Sequence, residues 1–123
     1  MDRTASTLRA LAEHWIQMWN SRDLDGIMGH YAPEIKFEAN TVVGRWQKPD
    51  GKLRGLSELR RHFQTGLELV PNLHFELEDL FTTPSGYAVL YRRENGNRVL
   101  DAVELNEDGL AIRVKAYYAG EQR

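Results

Sequence analysis

The second half of the chain constrains the fold most. Residues 75–118 carry alternating apolar and polar stretches broken by Asn95-Gly96 and Asp108-Gly109, two of the strongest short-range signals for β-hairpins. "LHFELEDLF", "GYAVLYRRE", "RVLDAVELN" and "LAIRVKAYY" therefore read as four consecutive strands of an antiparallel meander. A meander with one apolar face needs a cover, and the first half supplies it. Leu8, Leu11, Ala12, Trp15, Ile16 and Trp19 form one wide helical stripe over residues 4–20. Asp23 is placed as an N-cap, with Leu24, Ile27, Met28 and Tyr31 as the apolar side of a short second helix ended by Pro33. "EIKFEAN" alternates as a strand with Ile35, Phe37 and Ala39 on the covered side. A third helix is expected from about Leu56 to Val70, with Leu59, Phe63, Leu67 and Val70 inward. Between strand and helix, "TVVGRWQKPDGKLRG" has no sustained period and contains a Pro-Asp-Gly turn, so a long loop displaying Trp46 is expected there.

Helix, helix, strand, helix, then four strands defines an α+β domain, helices on one face of a curved antiparallel sheet. At 123 residues the chain is one domain's worth, and about two-thirds of its unfolded surface leaves water on folding. No linker, repeat or low-complexity tract divides residues 1–123.

Hairpin parity then decides which residues share the covered face. A two-residue loop at Asn95-Gly96 sets Leu90 opposite Asp101 and Arg92 opposite Val99. A loop at Asp108-Gly109 sets Ala116 opposite Asp101, Val114 beside Val103 and Tyr118 beside Val99, with Glu104 facing Arg113 on the other side. The covered face would collect Ala88, Leu90, Arg92, Val99, Asp101, Val103, Leu105, Ile112, Val114, Ala116 and Tyr118, and Arg92 would lie diagonal to Asp101. One carboxylate in an apolar row invites chemistry. Isolated there, Asp101 is a neutral hydrogen-bond donor; paired with Arg92, it stays ionised and serves as a base or a structural bridge.

Composition excludes other classes. Sixteen Lys+Arg against 18 Asp+Glu leave no electrostatic footprint for nucleic acid. No stretch has transmembrane length, and "MDRTASTLRA" lacks the apolar run of a secretory signal, so the cytoplasm is expected. With no cysteine there is no thiolate zinc site. His14, His30, His62 and His74 show no metal-ligand spacing: His14 and His30 are expected to face solvent, and His62 borders the third helix's stripe. No metal or cofactor is expected, and no phosphate loop, nucleophile elbow or dinucleotide fingerprint is present.

"WNSRDLDGIMGHYAPEIKFEAN", "LRGLSELRRHFQTGL", "PNLHFEL" and "LNEDGLAIRVKAYY" resemble the nuclear transport factor 2-like superfamily, within its SnoaL-like and ketosteroid-isomerase-like branch. The resemblance covers nearly the whole chain. It implies a cone-shaped barrel of three N-terminal helices on a curved, mainly antiparallel sheet, a deep pocket between them, and homodimers formed through the sheet's outer face. The acid of the ketosteroid-isomerase oxyanion hole falls on Asp101. Its tyrosine position falls on Trp15, whose indole donates but is no acid, and its base position falls on Ala39, which takes no proton. Steroid-type isomerisation is therefore not expected. SnoaL-type cyclases and limonene-epoxide hydrolases carry an Asp on the last strand; here that strand presents Ala116 and Tyr118. The Arg92–Asp101 pair would mimic half of the Arg-Asp arrangement that orients water in the hydrolases.

The expected function is a small-molecule pocket protein, an isomerase, cyclase, hydrolase or binder for a small, largely apolar compound with a polar handle. Asp101 and Arg92 are its candidate catalytic pair. Trp15, Trp19, Tyr31, Phe37, Ala39, Trp46, Phe63, Val99, Val103, Val114, Ala116 and Tyr118 shape the pocket, with Trp46 as a gate or a packed plug. The rival is a non-catalytic dimerisation module whose cavity is filled by Trp15, Phe37, Phe63 and Tyr118.

Overall fold

A computed structural model describes residues 2–120. Helix α1 (Ala5–Asn20) starts where the Thr4 hydroxyl accepts the Thr7 amide, and it buries Leu8, Ala12, Trp15, Ile16 and Trp19 on the expected stripe. Helix α2 (Leu24–Met28) is capped by Asp23, whose carboxylate accepts the Gly26 amide at 2.9 Å. Asp25 sits in its first turn, where the exposed amides favour negative charge. The chain then runs through β1 (Tyr31–Glu38), α3 (Asn40–Trp46), β2 (Lys52–Arg54), α4 (Leu56–Leu69), β3 (Phe75–Thr83), β4 (Gly86–Arg93), β5 (Arg98–Leu105) and β6 (Ala111–Tyr118).

The six strands form one sheet in the order β2-β1-β6-β5-β4-β3, antiparallel except for the β1–β6 pair. The sheet curves without closing into a barrel, since β2 and β3 remain its edges. Register shifts at Tyr31/Lys36, Leu77/Asp79 and Glu104/Leu105 mark irregular pairing of the kind that bends strands. Asn20 fastens α1 to β3, accepting from the Phe75 amide and donating to its carbonyl at 2.7 and 2.9 Å. Arg22 donates to the carbonyls of Leu67, Val70 and Pro71, occupying acceptors that the end of α4 leaves open. The core lies between the helices and the concave face, with Leu8, Ile27, Ile35, Val42, Leu59, Val89, Val99 and Val114 fully enclosed.

Four expectations about local structure are corrected. Tyr31 begins β1 rather than ending the second helix, and Pro33 lies within the strand, in the stretch where pairing to β6 is irregular. A proline has no amide to give a ladder and belongs at such a place. The segment read as a loop folds into α3 and β2, making four helices among the described residues instead of three. At β6 the bulge pairs Ala111 with Leu105, so Ala111 is buried and Ile112 only half so.

The fourth correction matters most. The β4–β5 hairpin turns through three residues, Glu94, Asn95 and Gly96, closed by the Arg93 amide donating to the Asn97 carbonyl at 2.8 Å. Gly96 takes φ +86°, the left-handed conformation that a three-residue hairpin loop requires. One extra loop residue reverses the parity of β4 against β5. Val89, not Leu90, faces Asp101, and Tyr91 pairs with Val99. Ala88, Leu90 and Arg92 therefore belong to the outer face, while Tyr87, Val89 and Tyr91 are buried within. The β5–β6 register follows expectation, with Asp101 opposite Ala116, Val103 opposite Val114 and Val99 opposite Tyr118. Arg113 and Glu104 pair at 2.9 Å on the outside.

Candidate functional site

Strand alternation turns Asp101 inward from the middle of β5, leaving it 3% exposed. Its Oδ1 accepts the hydroxyl of Tyr91 at 3.1 Å. Burial raises its pKa to about 7, because an enclosed carboxylate loses hydration; the Tyr91 hydrogen bond opposes that rise. Tyr31, Tyr87, Tyr91 and Tyr118 surround the same region, and all four phenols are pushed up, first by burial and then by the proximity of Asp101. They stay neutral at any ordinary pH and act as hydrogen-bonding groups.

Asp101 forms part of the wall of a cavity of about 90 Å³ between α1, α4, α3 and the sheet. Of the expected pocket residues, Trp15, Trp19, Phe37, Phe63, Ala116 and Tyr118 also line it. Trp15 and Trp19 meet edge-on at a centroid distance of 6.3 Å, and Trp19 packs on Phe63 at 4.9 Å. Behind Asp101 lies a second void of about 10 Å³, the scale of one water molecule, bordered by Tyr31, Tyr87, His30, Val103 and Val114. The indole N–H of Trp15 donates to the Tyr31 hydroxyl at 2.9 Å beside it. Val99 is core, and Ala39 is buried at the entry to α3.

Arg92 is not part of this site. It is exposed on the outer face, where it and Arg98 both contact Glu78, at 3.0 and 2.9 Å. The inward positions on either side of it, Tyr91 and Arg93, both line the cavity. Trp46 does not line it either. The Trp46 indole donates to Nδ1 of His62 at 2.9 Å, and the Arg61 guanidinium lies 4.3 Å over its ring, so it packs down as a plug.

Helix α3 brings in residues that sequence periodicity did not single out. Thr41 and Arg45 line the cavity together with His62 of α4. An indole N–H only donates, so the Nδ1 it meets carries no proton, and the imidazole proton sits on Nε2 toward the Thr41 hydroxyl at 3.2 Å. Burial, reinforced by the Arg45 charge, lowers the His62 pKa to about 4. Arg45 donates to the His62 carbonyl at 2.9 Å, and burial also lowers its own pKa. Two side-chain donors are buried without a partner among the described residues, Nε1 of Trp19 and Nε of Arg93, and both residues line this cavity.

The fold also joins two histidines that are distant in sequence. Nδ1 of exposed His14 and Nε2 of half-buried His30 lie 2.8 Å apart, so His30 is less exposed than expected. Among the described residues no group of three or more His, Cys, Asp or Glu side chains is placed to hold a metal. Among the described residues no helix is long and apolar enough to cross a membrane.

A curved sheet with helices over one face is the architecture of the nuclear transport factor 2-like and ketosteroid-isomerase-like superfamily. The chain belongs to the SnoaL-like domain family, whose model matches residues 12–116. A SnoaL-like protein of unknown function from Burkholderia thailandensis E264 is 28% identical, with a TM-score of 0.92 over 98% of this chain and 100% of that one. A putative ketosteroid isomerase from Kribbella flavida DSM 17836 shares the fold at 17% identity and a TM-score of 0.74, covering 98% of this chain and 84% of that one. A Mycobacterium tuberculosis protein solved with estradiol-17β-hemisuccinate does so at 16% identity and a TM-score of 0.68, covering 89% and 92%. No match was found among curated protein sequences.

Proposed function

We propose that this protein binds a small, largely apolar compound through a carbonyl group, which the protonated carboxyl of Asp101 polarises. The observation that carries this reading is the position of Asp101 in the cavity wall, buried and, among the described residues, partnered by the Tyr91 side chain alone. A carboxyl whose pKa lies near 7 keeps its proton through mildly acidic conditions and donates it as a hydrogen bond, favouring any charge that builds on the acceptor oxygen. Aromatic walls from Trp15, Trp19, Phe37 and Phe63 suit an apolar body. The hormone-ester complex of the Mycobacterium tuberculosis relative is consistent with this use of the fold.

Isomerase, cyclase and hydrolase chemistry all begin with such an activated carbonyl or related oxygen, but each needs a second group. Ala39 supplies no base, and Arg92 faces away from the cavity. Among the described residues the only other imidazole or carboxylate lining the cavity is His62, whose Nδ1 is occupied by Trp46. Binding with carbonyl polarisation is therefore the activity that the geometry supports best. Titrating cyclohexanone into the wild type and Asp101→Asn tests it. Asp101-dependent binding supports the assignment, and identical binding by both proteins removes Asp101 from the site.

One observation favours a second reading, a non-catalytic association module. The cavity of about 90 Å³ is well below the 300–1,000 Å³ of ordinary ligand pockets. Under that reading the aromatic side chains are core, and the outer sheet face, with Phe81 and Tyr117 exposed, joins two copies into a homodimer. Exclusion of cyclohexanone together with a dimer in sedimentation would favour it. In either case the expected setting is the cytoplasm.

A further inference from the structure

We propose that the cavity selects a compact carboxylic acid, its carboxylate held at the Arg45–Arg93 side of the cavity and its apolar body directed toward Asp101. This deepens the ligand-binding reading above and rests on it.

The charge of the lining points this way. Arg45 and Arg93 are its cations, and Asp101 is its one carboxyl group. Near pH 6 that carboxyl is mostly protonated and His62 is neutral, so two positive charges face the cavity without an ionised acid on its wall. Burial lowers the Arg45 pKa, and Arg93 lies close enough to add to that lowering. Like charges brought together in a half-buried site are costly unless something negative joins them.

Part of that compensation is internal. Glu94, the first residue of the hairpin loop, meets a terminal nitrogen of Arg93 at 3.4 Å, and its other oxygen accepts the His74 amide at 3.3 Å. Glu94 therefore fixes one end of the guanidinium and leaves the Nε side over. That Nε–H is buried and unpartnered among the described residues. Trp19, only 5% exposed, also lines this cavity and carries an unpartnered Nε1–H among the described residues. Unsatisfied buried donors are costly, so two of them on residues that line one cavity favour a ligand rich in acceptors. Carboxylate is the group whose paired oxygens suit a guanidinium, and hydrogen bonds to it are about twice as strong as neutral ones. Arg45 has one terminal nitrogen engaged with the His62 carbonyl, which orients the rest of its fork.

The remaining surface sets the size and the far end. A volume of about 90 Å³ is small for a ligand pocket, so the enclosed part of the ligand is short. Trp15, Phe37 and Phe63 give that part apolar contact, and Asp101 and Tyr91 meet whatever polar atom it carries at its end.

The test compares butanoate and benzoate with butanamide and benzamide by calorimetry on the full chain at about pH 6, where simple carboxylates are ionised. The acids are expected to bind at least about tenfold more tightly than the amides and to weaken as salt is raised. Arg93→Gln and Arg45→Gln should each erase most of that preference, whereas Arg93→Lys keeps part of it. Equal binding of acid and amide, or a preference that survives both Gln variants, overturns the inference. Should a Gln variant fail to fold, the wild-type acid-to-amide ratio and its salt dependence still decide. Cyclohexanone separates the two levels: if it binds in an Asp101-dependent way while the acids show no advantage, only the carboxylate assignment falls. If cyclohexanone, acids and amides all fail to bind, the pocket reading falls with it.

Discussion

The Tyr91 hydroxyl donates to Oδ1 of Asp101 at 3.1 Å, the one side-chain hydrogen bond made by that carboxyl group among the described residues. The two residues sit on neighbouring strands, yet they are not directly opposite, since Val89 occupies that place. The bond favours the charged form of a group that burial otherwise holds neutral. Replacing Tyr91 with Phe removes this counterweight, so the Asp101 titration should move further upward. Carboxyl chemical shifts followed against pH will read the change directly.

Asp101 also makes stability depend on pH. Its pKa rises from 3.8 to about 7 on folding, so the native state holds a proton that the unfolded chain releases between those values. Its stabilising contribution is fully present below about pH 4 and is lost as pH rises through 7. The rise corresponds to roughly 4 kcal/mol held against folding in alkaline solution, as an upper bound. Asp101→Asn retains an acceptor for Tyr91 and has no charge to bury. We expect it to be more stable than wild type by about 2–4 kcal/mol at pH 8, with the gap closing below pH 4, in urea melts across the range.

His30 and His62 have the opposite sign. Burial lowers both from 6.5 to about 4, helped by His14 for the first and Arg45 for the second. The unfolded chain takes up protons in that window that the native state refuses, so stability falls as pH drops from 6.5 through 4. His30→Gln should blunt this acid sensitivity while leaving the Asp101 titration in place. Denaturation midpoints at pH 7 and pH 5, compared with wild type, provide the check.

The fold was legible where one periodicity ran long enough to dominate. The α1 stripe, the Asp23 cap, the α4 stripe and the β5–β6 register all follow from apolar spacing and turn residues. The candidate site was legible only in part, because Asn95-Gly96 marks a hairpin without stating whether Glu94 joins the loop. That single residue decides whether Arg92 or Arg93 faces inward, and the three-residue loop chose Arg93. Helix α3 was hidden for another reason. Seven residues bury only Val42 fully, and Thr41, Arg45 and Trp46 are held by contacts with His62 that no local pattern encodes.

The reversed parity of β4 gives its own test. Arg92→Ala should leave ligand binding unchanged and cost little stability, because its ion pair with Glu78 is open to solvent and screened. Arg93→Gln should alter binding. A calorimetric comparison of these adjacent substitutions discriminates between the two registers.

Trp46 is expected to anchor α3 instead of gating the cavity. Trp46→Phe keeps the aromatic packing but removes the N–H that reaches His62 at 2.9 Å. A loss of about 1 kcal/mol is expected. Protection of the α3 amides from hydrogen exchange should fall with it.

Carbon-detected NMR of the Asp101 side chain tests the central claim most directly. A carboxyl enclosed in the cavity wall should titrate with a midpoint near 7. A midpoint at the ordinary 3.8 would place that group in contact with bulk water and contradict its role as a protonated hydrogen-bond donor.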